Sequence, residues 1–215
     1  MQTDLVKTWA RENDVAITDA QFALLEQHQN MVLETNKHMN LTAITDPEAF
    51  AVKHIIDSLT LLPYIPQGVT LADVGTGAGF PGIVLAIMRE DLHVTLVDSL
   101  RKRVFFLQEV VNTLGLKNVE CVHSRAEDLA REGKAFDICT ARAVARMDKL
   151  VKWVLPITKP GGTFLAMKGS EIHDELEKAR FVIKKRGGHV VCVNLIEVAP
   201  GLVHSIVVIA KGNPE

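Results

Sequence analysis

The chain has 215 residues, of which 47% are hydrophobic and 23% are charged, and its formal net charge is −2. These values are ordinary for a globular protein and exclude the collagen-like, low-complexity and disordered classes. The longest clean apolar run, at residues 83–88, is far too short to span a bilayer, and the first residues do not resemble a secretory signal. We therefore expect a cytoplasmic protein with no membrane partner.

Three cysteines are widely spaced, and no Cys-x-x-Cys pair occurs. This pattern supports neither a disulfide framework nor a zinc site, so we expect no metal. The charge is unevenly distributed, because residues 1–68 carry a net −5 and residues 69–215 a net +3. A basic face on the second part therefore remains possible.

Helices are predicted for the first 67 residues. Thr18 and Gln21 have the spacing of a capping box at a helix start. Asp46-Pro47-Glu48 is a second start, since Asp caps a helix, Pro suits its first turn and Glu complements the helix dipole. Apolar residues follow at helical spacing until Pro63 ends the pattern. We interpret residues 1–67 as a helical N-terminal region.

From Val69 onward, short apolar runs alternate with stretches of helical periodicity. The runs predict strands at 69–74, 93–98, 118–122, 135–141 and 162–168, and the helices lie near 81–89, 101–114, 125–131, 147–155 and 171–186. Two further runs, at 190–193 and 203–210, are joined by a Pro-Gly loop and predict an antiparallel pair. Residues 68–215 are therefore expected to form a mostly parallel, seven-stranded α/β sheet with helices on both faces.

A glycine-rich loop follows the first strand and is the sharpest local signal. It comprises Asp73, Gly75, Gly77, Gly79, Phe80 and Gly82 within ten residues. Glycines let a turn tighten and let backbone approach a ligand, and ligands bind open parallel sheets at the carboxyl ends of the strands. Asp98 ends the second strand, where its carboxylate can accept hydrogen bonds from both hydroxyls of a ribose. The loop therefore predicts a nucleotide-like cofactor.

Three interpretations of this loop remain open from the residues. Gly77, Gly79 and Gly82 satisfy the dinucleotide pattern, which would make the protein a nicotinamide-dependent oxidoreductase. The acid that precedes the glycines at Asp73 instead resembles the first motif of S-adenosylmethionine-dependent methyltransferases. Because S-adenosylmethionine is positively charged and has no pyrophosphate, a nearby carboxylate suits it better. The third interpretation is a non-enzymatic RNA-binding or ribosome-assembly factor that retains a cofactor fold.

Further segments narrow this choice. They are Asn40-Leu41-Thr42, the segment from His54 to Leu59, the segment from Val97 to Leu107, the segment from Ser124 to Glu127, and Ala141-Arg142-Ala143. In this order, with the glycine loop, they resemble the bacterial 16S rRNA guanine-N7 methyltransferases, the glucose-inhibited division protein B family. The resemblance covers about residues 20–210.

The resemblance implies a Rossmann-like class I methyltransferase fold. It also implies S-adenosyl-L-methionine as cofactor and N7 of a specific guanine in 16S rRNA of the small ribosomal subunit as methyl acceptor. Family cofactor contacts correspond to Gly75, Phe80, Ala126 and Glu127, and Arg142 matches a contact with the cofactor or the substrate. The remaining cofactor-binding candidates are Asp73, Gly77, Gly79 and Asp98.

Guanine N7 already has a lone pair and carries no proton, so its methylation needs no general base. The chain has neither the Asn-Pro-Pro-Tyr motif of amino-group methylation nor a Pro-Cys nucleophile. Positioning and electrostatics can supply the catalysis. We therefore expect no catalytic acid, base or covalent nucleophile.

Candidate RNA-binding residues are spread over the chain; they are Asn40, His54, Asp57, Arg101, Arg103 and Lys168. His54 and Asp57 share one helix face and could equally line a base pocket or link the helical region to the sheet. Solvated cations or local turn contacts would explain the others. The sequence has no heptad pattern, and we expect a monomer.

Overall fold

The computed structural model describes residues 3–212, and its strands follow the predicted order. They are β1 (Thr70–Val74), β2 (His93–Asp98), β3 (Val119–His123), β4 (Phe136–Arg142), β5 (Thr158–Gly169), β6 (Gly188–Ala199) and β7 (Leu202–Lys211). They form one sheet in the order β3-β2-β1-β4-β5-β7-β6. The fold class predicted from the sequence is confirmed.

Strand β1 lies in the middle of the parallel part of the sheet, with Leu71 opposite Val94 of β2 and Ile138 of β4. Strand β7 runs antiparallel to both β5 and β6 and lies between them. The expected antiparallel pair is therefore present. Strands β5 and β6 are each 12 residues long, longer than their apolar runs. Beyond its apolar run, β6 continues through Asn194 and Glu197, which interrupt the apolar pattern.

The helices are α1 (Thr3–Glu12), α2 (Asp19–Asn36), α3 (Pro47–Phe50), α4 (Asp57–Leu59), α5 (Gly82–Met88), α6 (Arg101–Leu114), α7 (Ala126–Arg131), α8 (Met147–Val154) and α9 (His173–Lys185). Short 3₁₀ turns lie at Leu62–Tyr64 and Leu155–Ile157. The capping box is confirmed, because Thr18 Oγ1 accepts from Gln21 N–H at 3.2 Å and Gln21 Oε1 accepts from Thr18 N–H at 2.9 Å. Asp46 caps α3 by accepting from the N–H of Ala49 at 2.8 Å.

A π-helical segment, Ala51–Ile56, joins α3 to α4. The predicted helix is thus continuous, but over these six residues the backbone turn is wider than in an α-helix. Such insertions are rare and occur often at functional sites. His54 lies within the segment and Asp57 directly follows it.

Hydrophobic residues cover both faces of the sheet. On β1, Leu71 packs with α1–α6 on one face, whereas Ala72 packs with α7–α9 on the other. The first of these clusters joins Phe22 and Phe50 of the N-terminal helices to Ile83 of α5. Packing therefore continues across the predicted boundary between residues 67 and 68, and that division stays a prediction. Within residues 3–212, none of the helices has both the length and the apolar character needed to cross a membrane.

Candidate functional site

Asp73 lies beneath the glycine-rich loop and is fully buried. Its Oδ2 accepts hydrogen bonds from Thr76 Oγ1 at 2.6 Å and from the N–H of Gly82 at 2.8 Å. Burial raises the pKa of this carboxyl to about 6. These bonds tie the end of β1 to the start of α5, so Asp73 positions the loop from below. The direct cofactor contact predicted for it stays a prediction.

Asp98 fixes the same loop from the end of β2. Its Oδ2 accepts from the N–H of Gly77 at 3.0 Å, and its Oδ1 accepts from the N–H of Leu100 at 2.9 Å. The Arg103 guanidinium lies 3.6 Å from Oδ2. Each carboxylate oxygen has a further lone pair, so Asp98 can still accept a hydrogen bond from a ligand.

The glycines of the loop serve two different purposes. Gly75 and Gly77 have φ values of +69° and +61°, which L side chains rarely adopt. A Cβ at Gly79 would come within 2.6 Å of Ile83 Cγ1, and one at Gly82 within 2.3 Å of Leu96 Cδ2. Gly79 and Gly82 therefore permit close packing of the loop on the core. The cofactor contact predicted for Gly79 stays a prediction.

A cavity of about 250 Å³ opens at the carboxyl ends of β1, β2 and β3, and we call it the β1–β3 cavity. Its lining includes four predicted cofactor residues, which are Gly75, Asp98, Ala126 and Glu127. The remaining lining residues are Val74, Val97, Ser99, Ser124, Arg125, Val144 and Trp153. Apolar walls and carboxylates thus face one space beside a backbone loop.

A second cavity, of about 350 Å³, lies between the π-helical segment and the ends of β4, β5 and β7; we call it the β4–β7 cavity. It brings together four residues that the sequence nominated, which are His54, Asp57, Arg142 and Lys168. Ile44, Lys53, Ala143, Met167, Gly169 and His204 complete the lining. Arg142 was predicted as a cofactor contact or a substrate contact, and the structure places it in this cavity.

Arg142 links the helical region to the sheet through three acceptors. Its Nη1 donates to the Lys53 carbonyl at 2.6 Å and to Asp57 Oδ2 at 3.0 Å, and its Nη2 donates to His54 Nδ1 at 2.8 Å. His54 and Asp57 therefore link the helical region to the sheet and also line the cavity, while the base pocket predicted for them stays a prediction.

The protonation state of His54 follows from its partners. A guanidinium only donates, so Nδ1 must accept and the ring proton lies on Nε2, which donates to Thr42 Oγ1 at 2.9 Å. Burial, together with the charge of Arg142, lowers the pKa of His54 to about 3. The imidazole is thus neutral near pH 7.

Phe80 is buried between two histidine rings. The His54 ring stacks on it at 4.5 Å and 9°, and the His28 ring stacks at 4.7 Å and 27°. His28 Nε2 donates to the Ala78 carbonyl at 2.9 Å, and burial lowers the pKa of His28 to about 4. The stack joins α2, the glycine loop and the π-helical segment. Phe80 lines neither cavity, and the cofactor contact predicted for it stays a prediction.

Sequence reasoning missed two histidines of this site. His28 is one of many polar residues on α2, and no spacing rule relates it to the glycine loop. His204 lies on β7, and its Nδ1 is 2.6 Å from Asp57 Oδ1 although 147 residues separate them. A buried carboxylate with two partners from distant strands leaves no local sequence signal.

The segment that follows β4 separates the two cavities. Arg142 and Ala143 line the β4–β7 cavity, whereas Val144 lines the β1–β3 cavity. Ala143 has a φ of +54°, which turns the chain sharply after the strand. A Cβ at Gly75 would lie 2.7 Å from Val144 Cγ2, so this segment also touches the glycine loop. The two cavities therefore adjoin across residues 142–144.

The other candidates are more peripheral. Lys168 lines the β4–β7 cavity while its Nζ donates to the Ala145 carbonyl and to Glu175 Oε1, both at 2.6 Å. Asn40 and Arg101 are exposed and line neither cavity.

Burial raises the pKa of the Cys139 thiol to about 12. Between Thr3 and Gly212, the His, Cys, Asp and Glu side chains form no group of three or more that could hold a metal.

Comparison with known proteins relates the chain to one family of enzymes. A family model described as rRNA small subunit methyltransferase G matches residues 21–201. A protein of that name from Clostridium perfringens is 42% identical over 214 residues, covering 97% of this chain and 90% of the relative. The protein of the same name from Leuconostoc mesenteroides is 46% identical over 183 residues, covering 82% and 77%.

Solved structures share the fold. A SAM-dependent methyltransferase from Aquifex aeolicus aligns with a TM-score of 0.55 at 22% identity, covering 76% of this chain and 93% of the other. M. jannaschii TYW2, solved in complex with AdoMet, aligns with a TM-score of 0.57 at 17% identity, covering 74% and 76%. At these identities the likeness concerns the fold alone.

Proposed function

Because the chain belongs to the rRNA small subunit methyltransferase G family, we propose that it transfers a methyl group from S-adenosylmethionine to N7 of a guanine in 16S rRNA. Membership of the family makes it an S-adenosylmethionine-dependent rRNA methyltransferase. The cofactor position, the target base and the atom are our proposals. One observation carries them, namely that two cavities, of about 250 Å³ and about 350 Å³, adjoin across residues 142–144.

The residues of the β1–β3 cavity fit S-adenosylmethionine. Asp98 can accept hydrogen bonds from the ribose hydroxyls, and the apolar walls near Ala126 suit the adenine. Gly75 lines the same space, and its missing Cβ leaves room for Val144, which also lines the cavity. Bound here, the cofactor supplies a methyl group on a positively charged sulfur.

The charges of this cavity favour that cofactor over a dinucleotide. Two carboxylates, Asp98 and Glu127, face one guanidinium, Arg125. Such a lining attracts a cationic ligand and opposes a pyrophosphate. The nicotinamide-dependent oxidoreductase is therefore disfavoured. An intact glycine loop with Asp98 also disfavours a factor without enzymatic activity.

The β4–β7 cavity is the proposed site of the guanine. Lys53 is an exposed cation on its lining that can contact a phosphate of the RNA, whereas Arg142 and Lys168 are paired with Asp57 and Glu175. A target base must leave its stack to enter such a cavity. No proton is removed from N7, and the low pKa of His54 fits a histidine that holds Arg142 in place and takes no proton. The chain's contribution is thus to hold the base in line with the methyl group.

The test uses labelled S-adenosylmethionine with small ribosomal subunits that lack the modification and, separately, with naked 16S rRNA. Borohydride and aniline then cleave RNA at 7-methylguanosine. We expect one cleavage site in the better substrate, with Arg142→Lys as a variant of reduced activity. Label without cleavage would remove the N7 assignment. Stabilisation of the protein by NADH but not by S-adenosylhomocysteine would refute the cofactor.

We also propose that the protein acts in the cytoplasm as a monomer, with 16S rRNA or the small subunit as its partner. Its net charge of −2 suits recognition of a particular RNA shape better than tight binding to any RNA. Sedimentation of the purified protein at assay concentrations should give a mass near 23.7 kDa. A mass of twice that value would refute the monomer.

A further inference from the structure

Large hydrophobic side chains are exposed at two places in the part of the chain that the structure describes. One group, Phe181 with Val191, Val193 and Leu195, lies on α9 and β6. The other consists of Leu100 and Phe105, at the start of α6, with exposed fractions of 52% and 66%. Packing explains neither Leu100 nor Phe105, since the buried face of α6 carries Phe106 and Leu107 instead.

Two cations lie beside the second group. Arg101 and Lys102 are exposed, and the Arg101 guanidinium lies 5.8 Å from the centre of the Phe105 ring. The first turn of α6 contains no acidic residue. Cations at a helix N-terminus oppose the helix dipole, so their placement slightly destabilises α6. Helix stability therefore does not explain this cluster.

The cluster adjoins the proposed active site. Leu100 follows Asp98 and Ser99, which line the β1–β3 cavity, and its N–H donates to Asp98 at 2.9 Å. Both cavities open at the carboxyl edge of the sheet, where α6 also begins. An RNA strand that places one nucleotide in the β4–β7 cavity can extend along this edge.

We propose that Leu100, Arg101, Lys102 and Phe105, here called the α6 surface, bind the RNA that flanks the target guanine. Phe105 stacks on an unpaired base, and Arg101 and Lys102 contact phosphates. Charge complementarity supports RNA as the occupant, because exposed cations next to an aromatic face match a phosphate backbone and its bases. The inference rests on the proposed function and adds which surface of the enzyme binds the RNA outside the target guanine.

The test compares Phe105→Ser with Phe181→Ser, a matched control whose side chain is 75% exposed on α9. The measurements are the Kd for an unmodified 16S rRNA transcript in the presence of S-adenosylhomocysteine, the KM for methyl transfer, and the Kd of S-adenosylhomocysteine itself. We expect Phe105→Ser to weaken RNA binding about fivefold to a hundredfold, the range for loss of one stacked base. Phe105→Trp should bind RNA within about twofold of the wild type.

Arg101→Gln should lower the slope of log Kd against log salt by about one, as expected for one lost phosphate contact. Affinity for S-adenosylhomocysteine should be unchanged in every variant, which separates RNA binding from damage to the cofactor site. Unaltered RNA affinity in Phe105→Ser, or an equal loss in Phe181→Ser, would overturn the inference. Weakened binding to ribosomal particles but not to naked RNA would indicate a protein partner and would also overturn it.

The two proposals fail differently. If the wild-type protein transfers no methyl group to any RNA, the proposed function is wrong and the α6 surface loses its premise. If the wild type methylates RNA and Phe105→Ser retains both its KM and its RNA affinity, only the α6 surface is wrong.

Discussion

Gly75→Ala tests the contact between Gly75 and Val144, which lies where the two cavities adjoin. Gly75 has a φ of +69°, and a Cβ there would lie 2.7 Å from Val144 Cγ2 and 3.2 Å from Cγ1. The left-handed backbone costs an alanine about 1–2 kcal/mol. The branched Val144 side chain has few alternative rotamers, so overpacking adds about 1–3 kcal/mol.

Gly115→Ala is the matched control, because Gly115 has a φ of +67° and a Cβ added there would meet no atom within 4 Å. Gly115→Ala should lower the free energy of unfolding only by the cost of the left-handed backbone, about 1–2 kcal/mol. Val144→Ala removes two half-buried methyl groups and should cost about 1 kcal/mol alone. In the double variant, the nearest atom to the new methyl group at position 75 would be the Cβ of residue 144, at an ordinary 3.5 Å. The two substitutions should therefore couple favourably by about 1–3 kcal/mol.

Urea unfolding of the wild type, the three single variants and the double variant measures these free energies. Calorimetric titration with S-adenosylhomocysteine adds a second readout, since Gly75→Ala should weaken binding and Gly115→Ala should not. Equal losses of stability in Gly75→Ala and Gly115→Ala would refute the contact. So would additivity of Gly75→Ala and Val144→Ala.

Three further predictions concern side chains of the site. Arg142→Lys keeps the charge but loses the fork that reaches three acceptors, and it should lower kcat/KM for methyl transfer at least about tenfold. Asp98→Ala should weaken S-adenosylhomocysteine binding at least about tenfold by calorimetry; unchanged affinity would refute a ribose contact and a role in holding the loop. Folding lowers the pKa of His28 to about 4 and that of His54 to about 3. Their contribution to the free energy of unfolding is therefore complete above pH 6.5 and is lost as the pH falls towards 4. The loss is up to about 1.4 kcal/mol per pH unit for each histidine. Urea unfolding at pH 7.5 and 5.5 should therefore show a smaller loss in His28→Gln than in the wild type, and an equal loss would contradict the prediction.

The fold was predictable because its signals are local. A capping box at Thr18, a capping Asp46, and apolar runs separated by helical periodicity each lie within a few residues and depend on short-range physics. The second half of β6 was missed because Asn194 and Glu197 interrupt its apolar residues. The π-helical segment was missed because no residue type distinguishes it from an α-helix over six positions.

The site was predictable only for residues that lie at the ends of neighbouring parallel strands. The glycine loop and Asp98 follow consecutive strands, and parallel strands bring their carboxyl ends together. The buried position of Asp73 could have been inferred from strand alternation, since it shares a face with the buried Leu71. The contact of His204 with Asp57 could not have been inferred from the sequence, because it depends on the tertiary arrangement that places β7 beside β5.

The placement of β7 between β5 and β6 has a consequence for synthesis on the ribosome. Lys211, which ends β7, comes 42 residues after Gly169, which ends β5. At about 5–20 residues per second, β5 waits roughly 2–8 s for its neighbour. During this time its unpaired backbone is an exposed edge that can pair with another nascent chain. The protein should therefore depend on chaperones most strongly late in translation, after its cofactor loop has already been made.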